Sequence, residues 1–197
     1  KYDIKIIEDV AQAFGSGTKN DIKLGSIGDM GAFSFFPSKT LGGIGDGGCI
    51  VTNNLSHYKQ ILKLRNHGQG KNYEHEIVGA NSRLDSLNAF VLNEKLSIFQ
   101  EIKKSRSNFY NFYINNLSHL DWINLPTKEN DNIIFNYFTI TVSPRIRNKL
   151  LSYLNQHQIG AAIYYKKPIH LQTAVLERYK KISMIKTEKI SKSVISL

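Results

Sequence analysis

The run GAFSFFPSKTLGGIGDGGCIV, Gly31 to Val51, limits the fold more than any other part of the chain. Two short runs of strand-like character, GAFSFF and CIVTN, flank a segment carrying Gly42, Gly43, Gly45, Gly47 and Gly48. Each glycine disfavours a helix by about 1 kcal/mol relative to alanine, so the segment reads as a loop joining two strands. Lys39 stands at its start. Pro37 fixes its own φ and holds Phe36 extended, which brings the chain into Ser38-Lys39 in a defined direction. A loop lysine is ordinarily solvated, and only its neighbours can give it another reading.

The surrounding pattern alternates strands and helices, which predicts an α/β fold. DIKIIEDV reads as a short buried strand ending in Glu8 and Asp9, and LSHYKQILKLRNHG as a helix closed by Gly68. From Asn81 to Leu117 the spacing of Leu84, Leu87, Val91, Leu92, Leu96 and Phe99 predicts one long helical region, with Ser82 and Asp85 as its start signal. Beyond it DWINLPTKENDN reads as a loop, NYFTITV as a strand, RNKLLSYLNQHQIG as a helix and AAIYY as a strand before Pro168. A domain change is expected near Phe99, dividing residues 1–98 from 99–197. The opening strand has no earlier element to pair with and SVISL ends without a cap, so the chain is expected to be incomplete at both ends.

Of the formal charge of +10, the segment Pro144–Leu197 holds 11 Lys+Arg against 2 Asp+Glu, a net +9. That excess falls in helical-looking stretches with no nucleic-acid-binding motif, so it reads as a solvated basic face or a surface favouring anionic small molecules. Nucleic acid is not an expected partner. Without an apolar run of about 18 residues, and with charges in KYDIKIIEDV, neither a membrane span nor a signal peptide is expected. A cytoplasmic location follows as the expectation, and the single Cys49 agrees with a reducing compartment. His67 and His75 lack metal-ligand spacing. Gly43-x-Gly45-x-x-Gly48 matches the dinucleotide fingerprint by spacing, yet it leads into a strand rather than a helix, and that reading is rejected. The glycines are expected to supply a turn with positive φ and close backbone approach.

Taken together, a strand-end acid (Asp9), a glutamine (Gln12), a strand serine (Ser34) and a flanked lysine (Lys39) are the groups that pyridoxal 5'-phosphate requires. Each alone reads as a solvated or ordinary loop or strand residue. At these residues the sequence resembles the DegT/DnrJ/EryC1/StrS family of sugar aminotransferases, fold type I pyridoxal-phosphate enzymes. The matching words are EDVAQAFGS, LGSIGDMGAFSFFPSKTLGGIGDGGCIVTN, RNHGQ, GANSRLDSLNAFVLNEKL and IYYKKPIHLQ. The resemblance implies the end of a large cofactor-binding domain followed by a small α+β domain.

It also implies roles. Lys39 would form the Schiff base with the cofactor and move the substrate proton, Asp9 would keep the ring nitrogen protonated, Gln12 would contact the ring's 3-oxygen side, and Ser34 would bind the phosphate. Asn81 would reach the phosphate of a neighbouring subunit and Arg83 the anionic part of the substrate, although helix capping explains part of GANSRLD. Tyr165 and His170 would line the sugar-nucleotide pocket, with a core histidine and ordinary strand aromatics as the other reading. The implied activity is amino transfer from glutamate to a nucleotide-linked keto-sugar for surface polysaccharide, in a homodimer with shared sites. YYKKPIHLQ resembles members acting on dTDP-3-keto-6-deoxyhexoses. The alternatives are a non-catalytic truncated relative and a cofactor-dependent sugar dehydratase; Lys39 argues against the dehydratase, because relatives with that chemistry carry histidine there.

Overall fold

The computed structural model describes residues 4–179 and 182–197, which form two compact units. The first runs to Asn108 and takes in Lys128–Asn136; the second comprises Phe109–Thr127 and the chain from Tyr137 onward. The expected α/β character is present in the first, and each unit has its own three-stranded sheet.

In the first unit β1 (Ile7–Asp9) pairs in parallel with β2 (Met30–Ser34), and β2 pairs antiparallel with β3 (Gly48–Val51). Helix α1 (Leu55–Arg65) follows, its first turn capped by Asn54, whose side chain accepts from the backbone N–H of Ser56 and His57. The predicted single helical region is two helices, α2 (Ser86–Ser97) and α3 (Phe99–Leu117), interrupted at Ile98. Ser97 Oγ bonds the Glu94 carbonyl at 2.6 Å, a back-bond of the kind that competes with helical pairing. Asp85 caps α2 by accepting from Asn88 N–H at 2.7 Å; Ser82, expected to share that role, instead donates its backbone N–H to Arg65 O.

Phe35, Leu41, Leu92, Phe99 and Ile134 form the core of this unit, with Phe14 edge-on to Phe33, Phe35 and Phe99. Phe99, where the domain change was expected, is therefore an interior residue of the first unit. The compact units divide farther along α3, between Asn108 and Phe109. Ile134 comes from beyond α3: of the stretch read as the loop DWINLPTKENDN, residues 128–132 and those up to Asn136 return to the first unit, whereas Ile123 and Asn124 pair as a strand in the second. In the first unit Gly17 N–H bonds Asn132 O at 3.0 Å and Ile134 N–H bonds Ser16 Oγ at 2.9 Å.

One strand expectation fails on burial. Ile4, Ile6 and Ile7 are exposed, Ile7 to 65%, because the only strand beside β1 among the described residues is β2.

The second unit orders β4 (Ile123–Asn124), β5 (Thr139–Val142) and β6 (Val194–Ser196) as one antiparallel sheet. Tyr110, Tyr113, Ile114 and Leu117 of α3 pack on it together with Leu150, Leu151 and Leu154 of α4 (Pro144–Gln156). Beyond α4 come the single turn α5 (Thr173–Leu176) and the short helix α6 (Ile185–Ser191). AAIYY is not a strand: only Ala162 bridges, to Ser196, through hydrogen bonds of 2.9 and 2.8 Å, and the two tyrosines lie on the surface. Two strands were unexpected: β4, inside the stretch read as the loop DWINLPTKENDN, and β6, whose Ile195 is fully buried.

Candidate active site

Residues alternate between the two faces of a strand, and Asp9 pairs with Ala32. Asp9, Ala32 and Ser34 therefore share one face of the sheet, while Glu8, Gly31 and Phe33 share the other, where Phe33 packs on the core. Because β1 and β2 are parallel, Asp9 and Ser34 also stand at the same, carboxyl end of their strands, the end where α/β sheets bind ligands. Asp9 Oδ1 accepts from Ala11 N–H at 3.0 Å, and Ser34 Oγ accepts from Phe36 N–H at 3.3 Å. Each leaves oxygen lone pairs for other donors.

Lys39 follows on a loop closed at its base. Phe35 donates its N–H to Gly47 O at 2.7 Å and accepts Gly43 N–H at 2.8 Å, while Lys39 N–H bonds Phe36 O at 2.9 Å across the turn made by Pro37. Thr40 and Leu41 are buried, which anchors the residues immediately after the lysine. Helix α2 holds the far side: Lys95 Nζ donates to Gly42 O at 2.6 Å, and Asn88 both accepts from Ile44 N–H at 3.0 Å and donates to Asp46 O at 3.1 Å. Asn88 is 1% exposed.

The expected positive φ is not found at the loop glycines; among the described glycines it occurs at Gly15, Gly25 and Gly68. Close approach accounts for Gly42 and Gly43, whereas a Cβ on Gly45 would stand in open space. A Cβ on Gly43 would run into Asn88 Oδ1, and one on Gly42 into the Pro37 carbonyl.

Glu8 performs the matching task beneath β1. Its carboxylate accepts the N–H groups of Gly25, Ile27 and Gly28, each at 2.7 Å, and so ties the approach to β2 under β1. Burial pushes this carboxyl up, and the donors from Gly28, Gly25 and Ile27 together outweigh it, so Glu8 titrates below its ordinary value of 4.5. A depressed folded-state value stabilises the fold above the unfolded value, and that contribution is lost as pH falls through the folded one. Glu8→Gln is therefore expected to lower stability by about 2 kcal/mol at pH 7 and to flatten the loss of stability below pH 4.5. Urea midpoints measured from pH 7 to pH 3 check both; an unchanged acid limb would contradict the assignment.

Gln12 is linked to the lysine loop by a residue that sequence reasoning missed. Asn136 Nδ2 donates to Gln12 Oε1 at 2.7 Å, and Asn136 Oδ1 accepts the Thr40 hydroxyl at 3.4 Å. Arg106 of α3 holds the backbone there, its Nη1 donating to Asn136 O at 2.9 Å. No local signal marks Asn136, since Gln12 lies 124 positions away in the sequence.

Asn81 and Arg83 stand together, Arg83 Nε donating to Asn81 Oδ1 at 3.0 Å, and both are exposed. Asn81 is fixed by a backbone bridge to Asn66. In the second unit Tyr165 is 69% exposed and edge-on to Tyr164, which in turn lies 4.8 Å from Tyr137 between ring centres. His170 is buried, and its Nε2 lies 3.1 Å from Glu188 Oε1. The Glu188 carboxyl is held below the usual glutamate range by His170 first and by Met184 N–H next. An apolar cavity of about 810 Å³ opens between β2, β3 and α1, bordered by Ile50, Tyr58, Leu62, Val78 and Leu84. It is lined by none of Asp9, Gln12, Ser34 and Lys39.

The first unit is thus an α/β layer whose parallel strand pair ends in Asp9 and Ser34 and continues into the braced loop that carries Lys39. The whole of residues 1–197 matches the DegT/DnrJ/EryC1/StrS aminotransferase family, and the chain belongs to it. It is 38% identical over 173 residues to the UDP-N-acetyl-3-dehydro-alpha-D-glucosamine 3-aminotransferase of Acidithiobacillus ferrooxidans, covering 87% of this chain and 46% of that protein. With the dTDP-3-amino-3,6-dideoxy-alpha-D-galactopyranose transaminase of Aneurinibacillus thermoaerophilus the identity is 37%, over 100% of this chain and 53% of the relative. Among solved structures, a DegT DnrJ EryC1 StrS aminotransferase from Brucella abortus superposes with a TM-score of 0.89 at 33% identity, over 98% of this chain and 51% of that one. NtdA from Bacillus subtilis, solved with bound cofactor PMP, superposes at 0.83 with 27% identity, over 100% and 46%. The chain thus spans about half the length of the relatives it matches.

Proposed function

We propose that this chain carries the lysine-bearing part of a pyridoxal-phosphate-dependent aminotransferase that moves an amino group from glutamate to a nucleotide-linked keto-sugar. The observation that carries the reading is the β1–β2 register, which sets Asp9 and Ser34 on one face at one strand end, with Lys39 on the loop leaving β2. The donor set fits the cofactor. An amine matches its aldehyde, a carboxylate its ring nitrogen, a hydroxyl its phosphate, and a carboxamide its 3-oxygen.

When bound, pyridoxal phosphate supplies an electron sink for the substrate carbon. Lys39 is the group that moves the proton, and the anchored turn at Thr40 and Leu41 limits where its amine can travel. Asp9 holds the ring nitrogen protonated. Asn81 and Arg83 meet phosphate and substrate anion, and a homodimer with shared sites is the assembly in which Asn81 acts across subunits. In the second unit Tyr165, being exposed, is better placed to meet a nucleotide-sugar than His170, which is already bonded to Glu188. Relatives acting on UDP- and dTDP-linked sugars support the substrate class.

The test is amino transfer from glutamate to a panel of UDP- and dTDP-linked keto-sugars, with nitrogen in the product followed by mass. Product lacking nitrogen would favour dehydration. A second reading, a non-catalytic relative, draws on the exposure of Asp9 and Ile7, because a carboxylate in water holds a ring cation weakly. Absence of any pyridoxal-phosphate band with this chain would favour it.

A further inference from the structure

Resting on that reading of Gln12, we infer that Asn136 is a positioning residue that sets which end of the Gln12 carboxamide faces the cofactor. A carboxamide has an accepting oxygen and a donating NH2, and its two orientations are nearly isosteric. Only one of them donates to an anionic oxygen. Asn136 decides between them by occupying the Gln12 oxygen: its Nδ2 donates to Gln12 Oε1 at 2.7 Å, which leaves the Gln12 NH2 to be presented elsewhere.

Asn136 is itself held in that orientation. Its Oδ1 accepts the Thr40 hydroxyl at 3.4 Å, and its backbone carbonyl accepts from Arg106 at 2.9 Å. Arg106 also reaches Phe135 O at 3.4 Å, so the guanidinium fixes two successive carbonyls and with them the direction in which Asn136 leaves the backbone. Thr40 is buried and follows Lys39 directly. One side chain therefore connects the ring contact with the lysine turn. The alternative orientation, with Asn136 donating to Thr40 and accepting from Gln12, would turn the Gln12 oxygen outward toward an anion, which repels it.

The experiment needs no enzymatic activity. In the isotope-labelled chain without cofactor, the side-chain NH2 of Asn136 is expected to exchange slowly with solvent and that of Gln12 quickly; the reverse order overturns the inference. Asn136→Asp keeps the shape but removes the donor, so the Gln12 NH2 should turn inward and become the protected one. Pyridoxal-phosphate affinity, read from the lysine-dependent absorbance band, should then fall about tenfold. Asn136→Ala, which frees Gln12 to rotate, should weaken binding less than Asn136→Asp. Equal losses from the two variants would assign Asn136 a packing role only and overturn the proposal. Failure of every variant, wild type included, to produce a band would count against the cofactor reading, while the exchange order would still decide the orientation of Gln12.

Discussion

Lys39→Ala is expected to remove the pyridoxal-phosphate absorbance band and to lower amino transfer by about 10³-fold or more. The size follows from the two tasks that the proposed function places on one amine: it would anchor the aldehyde covalently and carry the proton, whose positioned transfer accounts for about 10²–10⁴ in rate. Stability should hardly change. The surrounding turn is maintained by backbone bonds from Phe35 to Gly47 and Gly43 and by the buried Thr40 and Leu41, none of which uses the lysine amine. Lys39→Arg separates charge from chemistry: it preserves a cation but not a Schiff base, so it should be as inactive as the alanine variant. Activity retained in Lys39→Arg would remove Lys39 from the chemistry, whatever the alanine variant does.

The second large effect concerns the support of that loop. Asn88→Ala is expected to lower stability by about 3 kcal/mol, measured by urea unfolding. Asn88 is buried and bonds two backbone groups of the glycine loop, Ile44 N–H and Asp46 O, and its removal leaves both without that partner. Gly43→Ala should cost about 2 kcal/mol for the complementary reason, since its methyl would strike Asn88 Oδ1. The two changes share one space, so they should be far from additive. In an Asn88→Ala background, Gly43→Ala should cost little more. Additive losses would mean that the glycine is required for something other than the approach of α2.

The loop and its flanking strands were legible because their signals are local. Five glycines exclude a helix, and aromatic and β-branched runs on either side favour strands, which is where β2 and β3 form. Helices α1 and α4 were likewise readable from periodicity and end signals. The break at Ile98 was not. Apolar spacing continues through it, and Leu87 and Leu96, which fit that spacing, are exposed, whereas the polar Asn88 is interior. Periodicity ranks residues by polarity, but α2 spends its buried face on holding a loop, for which a carboxamide is the suitable side chain.

Long-range pairing accounts for the remaining differences. SVISL carries no visible partner, yet Val194–Ser196 forms β6 against β5, while AAIYY, with better strand character, contributes only a bridge at Ala162. Asn136 illustrates the same limit at the candidate site: nothing beside it in the chain distinguishes it from the other asparagines.

By itself, the order of residues supplied the groups that the proposed chemistry would use, namely Lys39 after Pro37, Asp9 and Ser34 at strand ends and Gln12 nearby, together with the α/β class, because these depend on local propensity and residue type. The tertiary structure alone decided that Asp9 and Ser34 face the same way, that Glu8 and Asn88 brace the segments around them, and that Asn136 joins Gln12 to Thr40. Register and distant hydrogen bonds are set by how separate segments pack, and no window of neighbouring residues contains that information.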